Sequence, residues 1–496
     1  MSTDRVAVIG AGFGGMATAI RLQAAGVPTV LIEARDKPGG RAYVYEDQGF
    51  TFDAGPTVIT APNCLEELYE AGGRPMSDYV ELLSLDPMYR LCWEDGYQLD
   101  YTADDARMSA QIAARNPGDV DGYRRFLQYS EAVFQEGYVK LAATPFLDWW
   151  SMIRAAPQLV TLQSYRSVYS MVSKYVKDPY LRQAFSYHTL LVGGNPFSTS
   201  AIYALIHALE KRWGVLFPRG GTGALVQGLT RLFTDIGGEL RLNCPVEAIE
   251  TAGGRVSAVR LAGGERLDVK AVVSNADVVH TYEHLLKDEP LLARVRKSLP
   301  RKRFSMSLFL IYFGLKGEHL DLAHHAVLFG PRYKELLADI FDRGELADDF
   351  SLYLHSPSVT DPQLAPPGCS THYVLTPVPN LAKSQVDWEK EAPRYRDRIL
   401  DYLEQRYIPG LRKDLVTCRI FTPQDFVTEL NAHQGSAFSL QPTLLQSAYF
   451  RVHNRDARVG GLYFTGAGTH PGAGIPGVVN SAKATAGLLL DDLGVH

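Results

Sequence analysis

Arg5-Val6-Ala7-Val8-Ile9-Gly10-Ala11-Gly12-Phe13-Gly14-Gly15 is the stretch on which the fold turns. Val6 to Ile9 is β-branched and barely alternates, as a parallel strand buried on both faces should. It runs into G-x-G-x-x-G. A small-residue helix is predicted over Met16–Ala25, closed by Gly26 at the position after the last helical turn. A second strand, Thr29–Ile32, ends at Glu33, and the whole has the size of a βαβ unit. Each glycine has a physical task. Gly10 permits the tight turn, Gly12 lets backbone N–H groups approach a pyrophosphate, and Gly15 lets the helix sit close to the sheet. The helix start offers unpaired donors and a positive dipole end to phosphate. Glu33 stands 21 residues past Gly12, where a carboxylate can bind ribose hydroxyls and disfavour a 2′-phosphate.

This fingerprint does not separate NAD from FAD. The residues that follow are Glu33-Ala34-Arg35-Asp36-Lys37-Pro38-Gly39-Gly40-Arg41, then Asp53-Ala54-Gly55-Pro56-Thr57. The second glycine pair reads either as another close backbone approach to one long dinucleotide or as an ordinary turn. The far end of the chain repeats the theme. Gly461 to Thr465 reads as a strand, Gly466-Ala467-Gly468-Thr469-His470-Pro471-Gly472-Ala473-Gly474-Ile475-Pro476-Gly477 as a glycine loop, and Val478 to Leu493 as a helix.

Between the ends the chain has two textures. Residues 219–277 look like nucleotide-domain material: a helix over 224–236, strands near 239–242, 246–250 and 256–261, and a buried strand from Ala271. Arg219-Gly220-Gly221-Thr222-Gly223 is glycine-rich before a helix, but no ribose acid follows at the right distance, so it reads as a turn rather than a nicotinamide site. Residues from about 80 to 214 and 286 to 455 are helix-rich and dense in Tyr, Phe and His. Two charge-free runs there, Phe304–Leu315 and Tyr373–Val378, could pair in a sheet that floors a ligand cavity. The stretch 184–209 reads as two buried helices joined by a turn at Gly193-Gly194-Asn195-Pro196 rather than as a membrane span. Phe146-Leu147-Asp148-Trp149-Trp150-Ser151-Met152-Ile153, with basic residues nearby, reads either as an interfacial helix or as a buried one. The expected division is a dinucleotide-binding domain from 1–80, 215–285 and 456–496, and a substrate and membrane-associating domain from 81–214 and 286–455.

Composition narrows the function classes. The chain has 496 residues, 46% hydrophobic, with a formal net charge of −5. High apolar content with low net charge excludes disorder for most of it. Fifty basic against fifty-five acidic residues give no electrostatic footprint for nucleic acid. Five cysteines without a CxxC pair read as reduced thiols of a cytoplasmic protein. The first residues show no signal peptide. There is no Ser-His-Asp context, no HExxH and no paired-Cys metal spacing. His324-His325, being adjacent, cannot share a helical face and read as structural, so no metal is expected.

At Val8–Gly15, Gly39–Arg41, Asp53–Thr57 and the 461–481 loop the chain resembles the bacterial-type phytoene desaturases, within the flavin-dependent carotenoid desaturase and amine oxidase-like superfamily. The likeness extends over essentially the whole chain, and the C-terminal loop is its most specific part. It implies an α/β fold of amine oxidase-like architecture: a discontinuous Rossmann-like FAD-binding domain with a mixed-sheet and helical substrate domain. It implies FAD held by Gly10, Gly12, Gly14, Gly15, Glu33, Arg35, Gly39, Gly40, Arg41, Gly55, Pro56, Thr57, Val246, Gly466, Gly468, Gly474, Ile475 and Pro476, with the backbone near Val246 at the adenine. The closing helix start, aimed at the flavin, would favour the charge that develops on reduction. The implied substrates are phytoene and other linear C40 carotenes, taken through phytofluene, zeta-carotene and neurosporene to lycopene. The implied route is hydride loss from an allylic carbon followed by proton loss from its neighbour. A bilayer-dissolved substrate implies peripheral attachment to a membrane surface, and quinone or oxygen is the expected electron acceptor. Asp148 and Arg154 are the candidate acid/base residues, although relatives often carry an Arg-Asp pair where this chain has Trp150-Ser151. The rival readings are a carotenoid isomerase or ketolase, a flavin amine oxidase, and a prenyl-lipid carrier on the same scaffold.

Overall fold

The computed structural model describes residues 5–495. Five parallel strands form the nucleotide sheet, in the order Leu462–Phe464, Ala271–Ser274, Val6–Ile9, Thr29–Ile32 and Glu239–Arg241. Chain ends far apart in sequence therefore share one sheet. Its period-2 alternation splits the side chains between two cores. Val6, Val8 and Leu31 pack under the helices Phe13–Ala24, Gly221–Asp235 and Ile475–Leu493. Ala7, Ile9, Val30 and Ile32 pack on the other side, toward an antiparallel three-stranded sheet of Val246–Ala252, Arg255–Leu261 and Arg266–Asp268.

Both glycine-loop helices begin earlier than the sequence pattern predicts. The opening helix starts at Phe13 with Gly12 as its N-cap, and the closing one at Ile475 with Gly474 as its N-cap and proline in its first turn. Neither has a side-chain cap, which leaves the donors of each first turn facing outward from the loop. Gly15 cannot be anything larger: a Cβ there would lie 1.9 Å from the Gly10 carbonyl oxygen.

The second sheet has seven strands, in the order Leu415–Phe421, Ser307–Lys316, Cys369–Val378, Leu352–His355, His325–Phe329, Tyr89–Trp93 and Gln98–Tyr101. Neighbours are antiparallel except for the parallel pair 325–329 and 89–93. The two charge-free runs do pair: Ser307–Lys316 lies against Cys369–Val378 over its full length. Both faces of this sheet are covered. Phe309, Ile311 and Phe313 pack with Trp388, Tyr395 and Ile399 of the helix Trp388–Arg406, while Leu308, Leu310 and Tyr312 face the larger core.

The 184–209 stretch departs from the expected pair of helices. A helix Pro179–Ala184 gives way to 3-10 turns at Tyr187–Val192 and Ala201–Ala204, and only Leu205–Trp213 is α-helical. Gly193 at φ +81° ends the first turn, and the Asn195 side chain accepts from the Phe197 N–H, so local side-chain bonds replace a helical ladder. Among the described residues no helix is long and apolar enough to cross a membrane, and all five cysteines are free.

Candidate active site

The two glycine loops interlock. A Cβ on Gly14 would lie 3.0 Å from Gly466 Cα and 2.6 Å from Asn275 Oδ1. The Asn275 amide nitrogen donates to the Gly10 carbonyl at 3.2 Å, so this one side chain ties the opening loop to the closing one. Sequence reasoning missed Asn275. The only available signal was its place directly after a buried strand, where an asparagine can bond neighbouring backbone.

Glu33 is buried, with its carboxylate accepting from the N–H groups of Ala11 at 2.8 Å and Arg35 at 3.0 Å. It is fixed at the rim of the glycine turn with lone pairs still available for hydroxyl donors. The Arg35 guanidinium lies 3.7 Å above the Tyr43 ring and pairs with Glu429 at 2.8 Å. The Gly39 N–H donates to the Ala11 carbonyl at 2.8 Å, which brings the second glycine pair onto the first.

From this cradle one continuous cavity of about 610 Å³ runs into the substrate region. Gly10, Gly12, Gly14, Glu33, Arg35, Gly39, Gly40, Arg41, Gly55, Pro56, Thr57, Val246, Gly474, Ile475 and Pro476 all line it. Gly15, Gly466 and Gly468 do not. Their small size serves close packing instead, and a Cβ on Gly468 would lie 2.4 Å from Val278. At the far end the walls are Leu308, Leu310, Val327, Phe329, Leu375 and Phe438, and no lysine is among the lining residues.

The cradle fits a dinucleotide on independent grounds. The uncapped start of the Phe13–Ala24 helix opens onto it. Arg41 has a buried Nε with no partner, although its Nη2 donates to the Ser436 carbonyl at 3.2 Å. Burial lowers the Arg41 pKa, partly offset by Asp277. An unpaired guanidinium N–H held out of water needs an anion, and a pyrophosphate supplies one.

The other glycine-rich helix start is already satisfied by protein. The Asp53 carboxylate accepts from Thr222 N–H at 2.9 Å and Gly223 N–H at 3.1 Å, and Asp361 accepts from Gly220 N–H at 2.7 Å. Burial pushes Asp53 up to about 6, against the pull of those two amides. The 219–223 loop is thus a turn whose donors a carboxylate has taken.

Asp148 and Arg154 are not brought to the cavity. Asp148 caps the helix Trp149–Thr161, accepting from Ser151 N–H at 2.7 Å, and both residues are exposed. This helix turns its apolar side outward: Trp149 is 53% and Trp150 68% exposed, with Ile153 beside them. Trp149 also meets Tyr449 and Phe450, next to exposed Leu444 and Leu445. The polar groups that reach the apolar chamber include hydroxyls and the buried Glu210 carboxylate. Thr57 Oγ1 lies 3.0 Å from the Tyr353 hydroxyl and 2.6 Å from that of Tyr373, and all three residues line the cavity.

Residues 13–490 match the family described as flavin containing amine oxidoreductase. The chain belongs to that family. Within it the chain is similar to the lycopene-forming phytoene desaturases of Pseudescherichia vulneris, 63% identical over 99% of both chains, and Pantoea ananas, 62% identical over 98% of this chain and 99% of that one. A neurosporene-forming phytoene desaturase of Rhodobacter capsulatus is 43% identical over 98% of this chain and 94% of that one. Among solved structures, a putrescine oxidase superposes with a TM-score of 0.65 at 17% identity, covering 98% of this chain and 99% of that one. At that identity the likeness shows the fold, which is the amine oxidase-like α/β architecture.

Proposed function

We propose that this chain is an FAD-dependent desaturase that converts phytoene to lycopene by successive desaturations. The carrying observation is the single cavity that leads from an interlocked pair of glycine loops into an apolar chamber. When bound, FAD supplies the acceptor for the hydride that each desaturation removes. The chain's own residues bind and orient. The start of the 13–24 helix and Arg41 balance the pyrophosphate, Glu33 takes ribose hydroxyls, and the backbone around Val246 meets the adenine. The start of the 475–493 helix, at Gly474 to Pro476, favours negative charge developing beside it. The leucine, valine and phenylalanine walls exclude water and hold a charge-free polyene by shape. The full-length likeness to lycopene-forming desaturases supports this substrate and product.

The outward Trp149, Trp150 and Ile153, with Arg154 on the same helix, support docking on a membrane surface, from which such a substrate must come. Quinone or oxygen is the electron acceptor in this reading, because among the described residues Asp53 fills the other glycine-rich helix start that a second nucleotide would need. The test is the purified protein with FAD in phytoene-loaded liposomes, with and without added quinone. Expected are bound flavin absorbance and stepwise lengthening of the chromophore to that of lycopene. An isomerase or ketolase would leave the count of double bonds unchanged or add oxygen, and a lipid carrier would hold no flavin. Any of these results would overturn the proposal.

A further inference from the structure

Desaturation leaves a proton to be removed after hydride loss, and Asp148 and Arg154 are too far out on the surface to take it. The large sheet holds another candidate. Its strand register aligns Tyr312 with Tyr373, Tyr373 with His355, and His355 with His325. Tyr89, one residue before the paired Arg90, lies beside His325 with its ring 5.8 Å away, and Tyr89 aligns with Tyr101. Six polar aromatic side chains thus form one row across six strands. The next row is Leu310, Leu375, Tyr353, Val327 and Leu91, apolar apart from Tyr353. Tyr312 and Tyr373 of the polar row line the cavity, and Tyr353 is the crossing point between the cavity wall and the histidines of that row. Its hydroxyl meets Thr57 at 3.0 Å in front and His325 Nδ1 at 2.7 Å behind. His325 Nδ1 lies 3.3 Å from His355 Nδ1, so at most one of these two facing nitrogens carries hydrogen. His324 sits 4.5 Å and 4.9 Å, ring to ring, from the other two and meets half-buried Thr360 at 2.7 Å. The Nε2 atoms of all three histidines are buried without partners.

Resting on the desaturase reading, we propose that Tyr353 and His325 are the proton acceptor of each desaturation, with Tyr353 at the cavity wall and His325 behind it. The step balances. The hydride leaves one allylic carbon with both electrons for the flavin. The neighbouring carbon then loses H⁺ to the Tyr353 oxygen as the Tyr353 hydroxyl proton moves to His325 Nδ1, and the C–H electron pair becomes the new double bond. Tyr353 ends as it began and His325 carries one added proton, which His355 Nδ1, 3.3 Å away, is placed to share. An allyl cation is so strong an acid that a weak base in the right place suffices. Burial holds His325 and His355 well below the usual histidine range, and His324 at about 3, so all three enter the step neutral. The same burial disfavours an imidazolium, which drives the proton onward. The groups that face His325 are Tyr353 and His355 from one neighbouring strand, Tyr89 from the other, and His324 beside it. Glu210, which lines the cavity, accepts the Tyr89 hydroxyl bond at 2.7 Å and lies 3.1 Å from His188 Nε2.

The test compares wild type, Tyr353→Phe and His325→Gln, each reconstituted with FAD in phytoene liposomes. Two substrates are used, one deuterated at the carbon that loses hydride and one at the carbon that loses the proton. Tyr353→Phe keeps the ring and its packing. The expected result is a rate lowered about 100-fold, the scale of a lost general base, with flavin content and KM unchanged. The isotope effect from the proton-losing carbon should rise above the wild-type value in both variants. In ¹⁵N-histidine-labelled protein the His325 Nδ1 resonance should shift on loss of the Tyr353 hydroxyl, and all three imidazoles should stay neutral through about pH 6.5, where free histidine titrates. Variants with wild-type rates, or slowed without a change in that isotope effect, would overturn the relay alone. So would one equivalent of a divalent metal held by the three histidines. A wild type that binds flavin yet leaves phytoene unchanged would overturn the desaturase reading, and the relay with it.

Discussion

The nucleotide end and the large sheet solve recognition in opposite ways. The first works through backbone: glycines without side chains, uncapped helix starts, and one asparagine, Asn275, tying the loop at Gly10 to the loop at Gly466 near the other end of the chain. The second works through side chains alone, ranked by strand register into an apolar row and a polar row. The first leaves no room for a Cβ at Gly14 and Gly15. The second tolerates changes of shape but not changes of which row a residue occupies. A charged, directional ligand needs fixed donors, whereas a long hydrocarbon needs only a dry wall of the right shape.

The sharpest way to break this contrast is Gly15→Ala. Its methyl would meet the Gly10 carbonyl, and about 3 kcal/mol of forced repacking should weaken FAD retention roughly 100-fold, read as flavin content after gel filtration. A methyl added on the large sheet, as in Val327→Ile, should leave flavin content unchanged. Next in size is the outward helix. Trp149→Ser with Trp150→Ser should lower sedimentation with liposomes by at least about tenfold, given the apolar area lost, with bound flavin retained. Glu33→Gln keeps its shape and one acceptor, and should weaken FAD binding about fivefold, the loss of roughly 1 kcal/mol of charge-assisted bonding, measured by titration of apoprotein.

A pH-dependent effect on stability, not on cofactor binding, sharpens the role of Asp53. Its folded pKa of about 6 exceeds its ordinary 3.8, so the folded state holds the proton more tightly. Its contribution to stability is therefore largest below pH 3.8 and declines as pH rises to about 6, by up to about 3 kcal/mol. Asp53→Asn should remove that slope in denaturant titrations run across this window. Asp53→Ala should also lose the two amide bonds and destabilise at every pH.

The sequence disclosed the strands and glycine turns of the backbone-driven half, because turns and close approaches constrain neighbours in the chain, but it set the starts of both glycine-loop helices too late and gave no role to Asn275. Val6–Ile9 and Thr29–Ile32 are strands with the bounds their pattern predicts. The side-chain half was far less legible. Nothing near His325 announces His355 or Tyr353, which reach it only through strand pairing. Of the two histidines that read as structural from adjacency, His325 opens a strand and turns toward the polar row, while His324 stands just before it. Asp148 followed a local pattern too, but the pattern was that of a helix cap. The 184–209 stretch was misjudged because its apolar content masks the side-chain bonds that break it into short turns.

The sheet that carries the cradle closes with Leu462–Phe464, placed beside Ala271–Ser274 and one strand away from Val6–Ile9. Until residues 462–476 have left the ribosome, the opening loop has no counterpart and the cavity lacks one of its walls. The greasy chamber must then spend nearly the whole of synthesis without its cofactor to fill the neighbouring space. Nascent chains of this protein should thus depend on chaperones until late, and C-terminal truncations should accumulate as flavin-free aggregates.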